Sequence, residues 1–367
     1  MRVIFAGGGT GGHINPAISI ADYAKSQDSE FSALFIGTER GLESKLVPKS
    51  GYDIKYIDIA GFDRKNLLKN ISVVKKLIKS RIDCRRIIRD FKPDCVVCTG
   101  GYVSGPVIMA AAKEGVPSLI HEQNVYPGLT VKGSEKYVDY LAVSFDETVN
   151  LMNEKRKCVV TGNPIRTQIL DAKKDVARKK LGIDKPFVLV FGGSLGAKKI
   201  NDTMLEVIPM LKKKGGIKLM FGTGDRNYDT VKAAANALGV SDNDSDIEIV
   251  PYIDNMAEVM AAADIVIARS GAITVSELAA LGKPSILIPS PNVVRNHQEQ
   301  NAREFEKNNA AAVITEAELD GDVLYSKIVS MIDDDEVLSQ MSENILKMAK
   351  TDALPQIYEL MIKMSEK

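Results

Sequence analysis

The chain has 367 residues, 45% hydrophobic and 26% charged, an ordinary globular mixture long enough for two domains. Lysine plus arginine equals aspartate plus glutamate at 48 each, so no global field draws in nucleic acid and no such partner is expected. No apolar run approaches the ~18–20 residues that cross a bilayer, the opening MRVIFAGG reads as a strand rather than a signal peptide, and Cys84, Cys95, Cys98 and Cys158 fit a reduced, cytoplasmic enzyme.

In chain order, apolar strands are predicted at 2–6, 31–37, 52–59, 94–99, 117–121, 140–145 and 158–161. A second series follows at 187–192, 217–222, 247–252, 264–269, 285–289 and 311–314. Helical patterns separate most of them, which predicts an α/β chain with parallel sheets covered on both faces. The series divide at Thr161-Gly162-Asn163-Pro164, where a proline after Gly-Asn stops regular structure. Domains are therefore expected at 1–162 and 163–350. Beyond 321 the pattern is helical only, and a last helix, about 351–367, is expected to cross back onto the first domain.

Each series begins with a strand running into a glycine-rich turn and a helix: Gly7-Gly8-Gly9-Thr10-Gly11-Gly12-His13 in one, Gly192-Gly193-Ser194-Leu195-Gly196-Ala197 in the other. Such turns let a ligand approach the backbone closely, and the helix start favours phosphate. Two similar turns suggest two Rossmann-like domains facing one cleft. Gly7-x-Gly9-x-x-Gly12 satisfies the dinucleotide fingerprint, a weak signal alone. That reading also wants an acid after the second strand, where Glu39 stands slightly late. His13 occupies the place of the lysine in a phosphate-binding P-loop, which removes that reading. An imidazole at this strand end can accept a proton near neutral pH; the plainer alternative is a helix-start histidine that bonds only backbone.

The remaining motifs also sit at strand ends. His121-Glu122-Gln123-Asn124 is costly to bury without partners, so it meets water or lines the cleft. In Ser270-Gly271-Ala272-Ile273-Thr274-Val275-Ser276-Glu277, Glu277 either closes a capping box with Thr274 or accepts bonds from a ribose diol. Gln298 and Asn301 fall three apart on a helix, and two amides on one face suit sugar hydroxyls. Cys95 and Cys98 have CxxC spacing but lie in an apolar strand and read as core. Residues 65–92 hold ten basic side chains against Asp83 and Asp90, with Leu67, Ile71, Val74, Ile78 and Ile82 at helical spacing. That is either a basic amphipathic helix on an anionic membrane surface or a helix with its apolar stripe in the core.

GGGTGGH at 7–13, HEQN at 121–124, GNPIR at 162–166, GGSLGA at 192–197, SGAITVSE at 270–277 and HQEQN at 297–301 together resemble the MurG family. The resemblance spans nearly the whole chain and implies the two-domain GT-B fold. It also implies transfer of N-acetylglucosamine from UDP-N-acetylglucosamine to the C4 hydroxyl of undecaprenyl-pyrophosphoryl-N-acetylmuramyl peptide (lipid I), giving lipid II in peptidoglycan synthesis. On this basis Thr10, Gly11, Gly12 and Asn124 line the cleft from the first domain. Arg166, Ser194, Ile253, Ala272, Ile273, Thr274, Val275, Ser276, Glu277 and Gln298 hold the nucleotide-sugar in the second, and Asn301 is added to them by the amide face it shares with Gln298. His13 is the expected general base and Glu122 the weaker alternative. No cofactor and no metal are expected, and the resemblance implies a peripheral place on the cytoplasmic face of the cell membrane. The helix over 65–92 carries no tryptophan, since the chain has none, so aromatic anchoring at the membrane comes from Phe62, Phe91 or Tyr102 or is weaker. The rival readings are a UDP-sugar epimerase of the same fold, a dinucleotide-dependent oxidoreductase, and a non-catalytic lipid-recruiting partner.

Overall fold

The computed structural model describes residues 1–60, 70–193, 195–241 and 244–366, the side chains of 70–74 and 294 excepted. Two compact units divide it: Met1–Ile165 together with the segment from Lys350 onward, and Arg166–Ala349.

The first unit runs β1 (Arg2–Gly7), α1 (Gly11–Gln27), β2 (Ser32–Gly37), α2 (Glu43–Lys49), β3 (Asp53–Tyr56), α3 (Asn70–Phe91) and β4 (Cys95–Gly100). It continues through α4 (Ser104–Glu114), β5 (Ser118–Glu122), α5 (Leu129–Ser134), β6 (Tyr140–Val143), α6 (Asp146–Leu151) and β7 (Cys158–Val160). Its 7-stranded sheet is parallel, in the order β3-β2-β1-β4-β5-β6-β7. The central strands are apolar along their length because helices cover both faces. Val3 and Phe5 of β1 face one core layer while Ile4 and Ala6 face the other, the alternation a pleated strand imposes.

The second unit runs α7 (Thr167–Asp171), α8 (Lys174–Leu181), β8 (Phe187–Phe191), α9 (Lys198–Lys214), β9 (Lys218–Gly222), α10 (Tyr228–Ala237) and β10 (Ile247–Val250). There follow α11 (Met256–Ala262), β11 (Ile265–Ala268), α12 (Ala272–Ala280), β12 (Ser285–Leu287), α13 (His297–Lys307), β13 (Ala312–Val313), α14 (Gly321–Ile332) and α15 (Asp335–Lys347). Its parallel sheet repeats the first one's logic, in the order β10-β9-β8-β11-β12-β13. In each unit the order reverses beside the first strand, between β1 and β4 and between β8 and β11. Open α/β sheets bind ligands outside such reversals, and each glycine turn emerges at one.

The last helix, α16 (Ala353–Ser365), returns to the first unit. Leu354, Ile357, Leu360, Met361 and Met364 share a core layer with Ile14, Ala17 and Ile20 of α1. Tyr358 meets Tyr23 edge-on at 5.9 Å between ring centroids.

The basic helix differs from the core-stripe alternative. Among the described side chains of α3, those buried are Ser80, Cys84 and Ile88, while Ile78 and Ile82 of the predicted stripe are 56% and 55% exposed. Phe62, Lys65, Leu67 and Lys69, and the side chains of Ile71 and Val74, lie outside the described residues. Cys95 and Cys98 are fully buried in β4, and burial pushes both thiols up, which fits packing.

Candidate active site

In the first unit the site is built around the turn after β1. Gly7 has no room for a side chain, because a Cβ would stand 2.1 Å from Thr99 Oγ1. Thr10 caps α1, and Gly11 and Gly12 form its first turn; Thr10 and Gly12 are exposed. His13, half-buried, points back along the turn. Its Nδ1 lies 3.2 Å from the Gly8 carbonyl oxygen and 3.3 Å from Thr10 Oγ1. A carbonyl has no proton to give, so Nδ1 carries the hydrogen and the ring's lone pair is on Nε2. Nε2 lies beside Gly100 of β4, where a Cβ would approach to 3.2 Å.

The acid that reaches this turn is Glu43 and not Glu39, which is exposed. Glu43 is buried at the start of α2 and accepts from Gly9 N at 3.1 Å, Thr38 N at 3.0 Å and Thr38 Oγ1 at 2.8 Å. Fingerprint spacing directed attention to Glu39; the signal for Glu43 was the pair Gly37 and Gly41, which leave space for one side chain between them.

The end of β5 is a buried polar network. His121 is fully buried, with Nε2 2.9 Å from the Gly162 carbonyl oxygen, and burial pushes its pKa down to about 4. Gln123 donates to the Thr99 carbonyl at 3.0 Å, and Asn163 donates to the Gln123 carbonyl at 3.0 Å. Glu122 accepts from Asn124 N at 2.9 Å, Asn124 Nδ2 at 3.1 Å and Gly128 N at 2.7 Å; burial raises its pKa. Both Glu122 oxygens are thus engaged in holding the loop over 124–128, which weighs against a proton-abstracting part. Of the four residues only Asn124 is half-buried; the others lie inside the fold.

In the second unit, Ser194 lies outside the described residues, but its turn is well defined on either side. Gly196 has φ +71, and a Cβ there would stand 1.9 Å from the Thr223 carbonyl oxygen. Buried Asn201, in the first turn of α9, donates to the same carbonyl at 3.0 Å, tying the start of that helix to the turn after β9. Beyond β10, Ile253 is buried, with its side chain against Gly222.

The helix α12 begins at Ala272, capped by Gly271, so Ala272, Ile273 and Thr274 are its first turn, followed by Val275 and Ser276. The capping-box alternative for Glu277 is therefore overturned: the helix starts before Thr274, and Glu277 sits in its interior. Arg166 grips one Glu277 oxygen, Nε and Nη2 both donating to Oε1 at 3.1 and 2.9 Å. Glu277 Oε2 has no protein partner among the described residues. Burial pushes the Glu277 carboxyl up and Arg166 opposes that rise.

The expected amide face on α13 divides. Asn301 is fully buried and donates to the Ser270 carbonyl at 3.1 Å, binding α13 to the turn before α12. Its side chain serves the fold and does not face solvent with Gln298. Half-buried Gln298 accepts from Ser290 N at 2.9 Å through Oε1, which leaves its NH2 as the polar group to offer. The chain enters α13 through Arg295 and Asn296, both left-handed at φ 56 and φ 54, an uncommon pairing away from glycine. Arg269, missed in the sequence, bonds the Ile288 carbonyl at 3.0 Å and Glu316, joining the ends of β11 and β12 to the loop after β13.

Two parallel sheets, each with a glycine turn at its reversal point, give the two-domain architecture of the GT-B fold. Residues 3–143 match the glycosyltransferase family 28 N-terminal domain and residues 187–357 the family 28 C-terminal domain. The chain is 48% identical over 362 residues to the UDP-N-acetylglucosamine–N-acetylmuramyl-(pentapeptide) pyrophosphoryl-undecaprenol N-acetylglucosamine transferase of Acetivibrio thermocellus, covering 98% of this chain and 97% of that one. It is 45% identical to the enzyme of the same name from Ruminiclostridium cellulolyticum, covering 98% and 99%. The crystal structure of Acinetobacter baumannii MurG superposes with a TM-score of 0.80 at 26% identity, covering 99% of both chains. The chain belongs to the MurG family.

Proposed function

We propose that this chain transfers N-acetylglucosamine from UDP-N-acetylglucosamine to the C4 hydroxyl of undecaprenyl-pyrophosphoryl-N-acetylmuramyl peptide, turning lipid I into lipid II. The observation that carries the reading is end-to-end identity with relatives of that name, 48% over 98% of the chain. An oxidoreductase would leave the second glycine turn and the α12–α13 pair without a part.

In this reading the second unit holds the donor. Glu277 Oε2 accepts from the ribose, backbone at Ile253 reads the uracil, and the Gln298 amide donates to the sugar. Arg166 keeps Glu277 in place. The first turn of α12 and the turn around Ser194 meet the diphosphate, whose charge grows as the bond from C1 to the phosphate oxygen breaks. Helix N-termini supply that stabilisation, so the step needs no metal. The acceptor is held by the first unit, at Thr10, Gly11, Gly12 and Asn124. His13 Nε2 takes the proton of the C4 hydroxyl as its oxygen attacks C1 from the face opposite UDP, so an α-linked donor gives a β-linked product. The half-buried imidazole, with its Nδ1 against the Gly8 carbonyl oxygen, supports this assignment of the base.

The basic helix is read as the membrane contact. Ile78 and Ile82 stand one turn apart, both exposed, among Lys75, Lys79, Arg81 and Arg86. Apolar side chains within a basic face suit an anionic bilayer. No helix of the described residues is long and apolar enough to cross a membrane, and the lipid-linked acceptor calls for a peripheral place on the membrane, read here as its cytoplasmic face.

The test is incubation with UDP-N-acetylglucosamine and a lipid-linked muramyl acceptor, followed by mass analysis. The expected product is the acceptor plus one N-acetylhexosamine residue. Formation of a UDP-sugar epimer with an unchanged acceptor would favour the epimerase instead.

A further inference from the structure

Gly8 and Gly9 share one peptide group, and both of its polar ends are engaged by side chains. The Gly9 N–H donates to Glu43 Oε2 at 3.1 Å. The Gly8 carbonyl, on the other side of the same peptide bond, accepts from His13 Nδ1 at 3.2 Å. A carboxylate, a peptide and an imidazole thus form a single hydrogen-bonded chain.

The surroundings are built to hold that carboxylate. A Cβ on Gly41 would stand 2.1 Å from Glu43 Oε2, one on Gly37 2.6 Å from Glu43 Cγ, and one on Gly8 2.9 Å from Glu43 Oε1. Three glycines therefore enclose one buried side chain. Thr38 supplies two more donors, N–H and Oγ1, to Glu43 Oε1. Glu43 is 1% exposed, so its position is set by packing and three hydrogen bonds together.

We propose that Glu43 is a positioning residue for His13, acting through the Gly8–Gly9 peptide. An acceptor on the N–H of an amide polarises it and makes its carbonyl oxygen a better acceptor. The Gly8 oxygen then holds His13 in the Nδ1–H form and favours the imidazolium that appears when Nε2 takes a proton. A carboxylate bonded directly to a catalytic histidine does the same in hydrolase triads; here one peptide stands between. The inference rests on the reading of His13 as the base.

Glu43→Gln tests it at constant shape. The Gln amide has one oxygen for two sets of donors, so its NH2 must face either Thr38 or the Gly9 N–H, donor against donor. We expect kcat to fall about 10–100-fold, the usual effect of losing an outer-shell partner, with donor KM within about twofold, in a protein that stays folded at the assay temperature although the buried donor-against-donor contact lowers its thermal midpoint. Glu43→Asp, which keeps the charge, should fall between the two and serves as the test variant should Glu43→Gln fail to fold. Only three histidines are present, at 13, 121 and 297, so nitrogen-15 NMR can follow the His13 ring, which should move from Nδ1–H toward mixed tautomers.

A double-mutant cycle with His13→Ala decides whether the effect passes through His13. With His13 absent, Glu43→Gln should lower the residual rate less than about twofold. An equal loss with and without His13 overturns the proposal, as does a folded Glu43→Gln protein with parental kcat and an unmoved ring. Should His13→Ala retain the parental kcat, the base assignment fails, and the ring tautomer in Glu43→Gln alone then decides whether the relay exists.

Discussion

Glu277 has two carboxylate oxygens, and Arg166 takes one of them. Glu277→Ala should raise the donor KM tenfold or more, worth about 1.4 kcal/mol, while the thermal midpoint moves little, because Arg166 is 51% exposed and finds water when its partner is gone. A sharp fall in midpoint with unchanged KM would return Glu277 to a structural part. The α13 amides should separate the other way. Asn301→Ala leaves a carbonyl with no donor inside the fold and should cost about 1–3 kcal/mol of stability in denaturant titrations. Gln298→Ala should leave stability within about 0.5 kcal/mol and raise donor KM; equal effects of the two substitutions would sink the distinction. His121 sets a pH dependence of known sign. Its folded pKa is pushed down to about 4 from an ordinary value near 6.5, so the unfolded chain binds more protons between those values. The stability His121 contributes is complete above pH ~6.5 and is lost as pH falls toward 4; the raised Glu122 pKa runs against it. A His121→Gln variant should show a flatter loss of thermal midpoint over that window.

At the scale of elements, apolar runs and glycine turns were legible because a strand buried on both faces must be apolar along its length. The predicted strand at 52–59 is β3, Asp53–Tyr56, and the predicted strand at 285–289 is β12, Ser285–Leu287: position was readable, ends were not. Polar partnership was less readable, since it depends on residues distant in sequence. Arg85 and Arg89 of α3 both bond Glu114 of α4, at 2.5 and 2.7 Å, and Lys76 bonds Asp58 at 2.7 Å, so among the described residues three of the ten basic residues counted toward a membrane face are paired within the fold. The exposed Ile78 and Ile82 make that face testable. Replacing both with Asn should weaken sedimentation with phosphatidylglycerol vesicles at least tenfold, since burying each isoleucine is worth about 1.5–3 kcal/mol. Unchanged binding would point to a purely electrostatic contact or to another surface. The helix α16 was legible by its apolar spacing. Ile357, fully buried against α1, should cost about 2–5 kcal/mol on replacement by Ala, measured by denaturant unfolding; a loss below ~1 kcal/mol would mean that α16 adds little to its core layer.

For the molecule as a whole, two sheets of the same winding were visible in the order of strands and helices, and the motifs fell at the right strand ends. What could not be read was which polar residues serve the fold. Gln123, Asn163, Asn201 and Asn301 bond backbone carbonyls inside the units, and Glu43 escaped notice because its partners are glycines and a threonine whose value is their missing bulk and their N–H groups. The return of α16 bears on how the chain is made. The second unit is one uninterrupted stretch, Arg166–Ala349, so a ribosome delivers all of its parts in succession. The first unit receives its last helix only after the whole second unit has been synthesised. At about 5–20 residues per second, the α1 side of the first sheet waits roughly ten seconds or more with part of its apolar layer uncovered. In that interval the nascent chain carries a sticky, half-finished front domain, and it is the stage at which a trigger-type holdase would have most to protect.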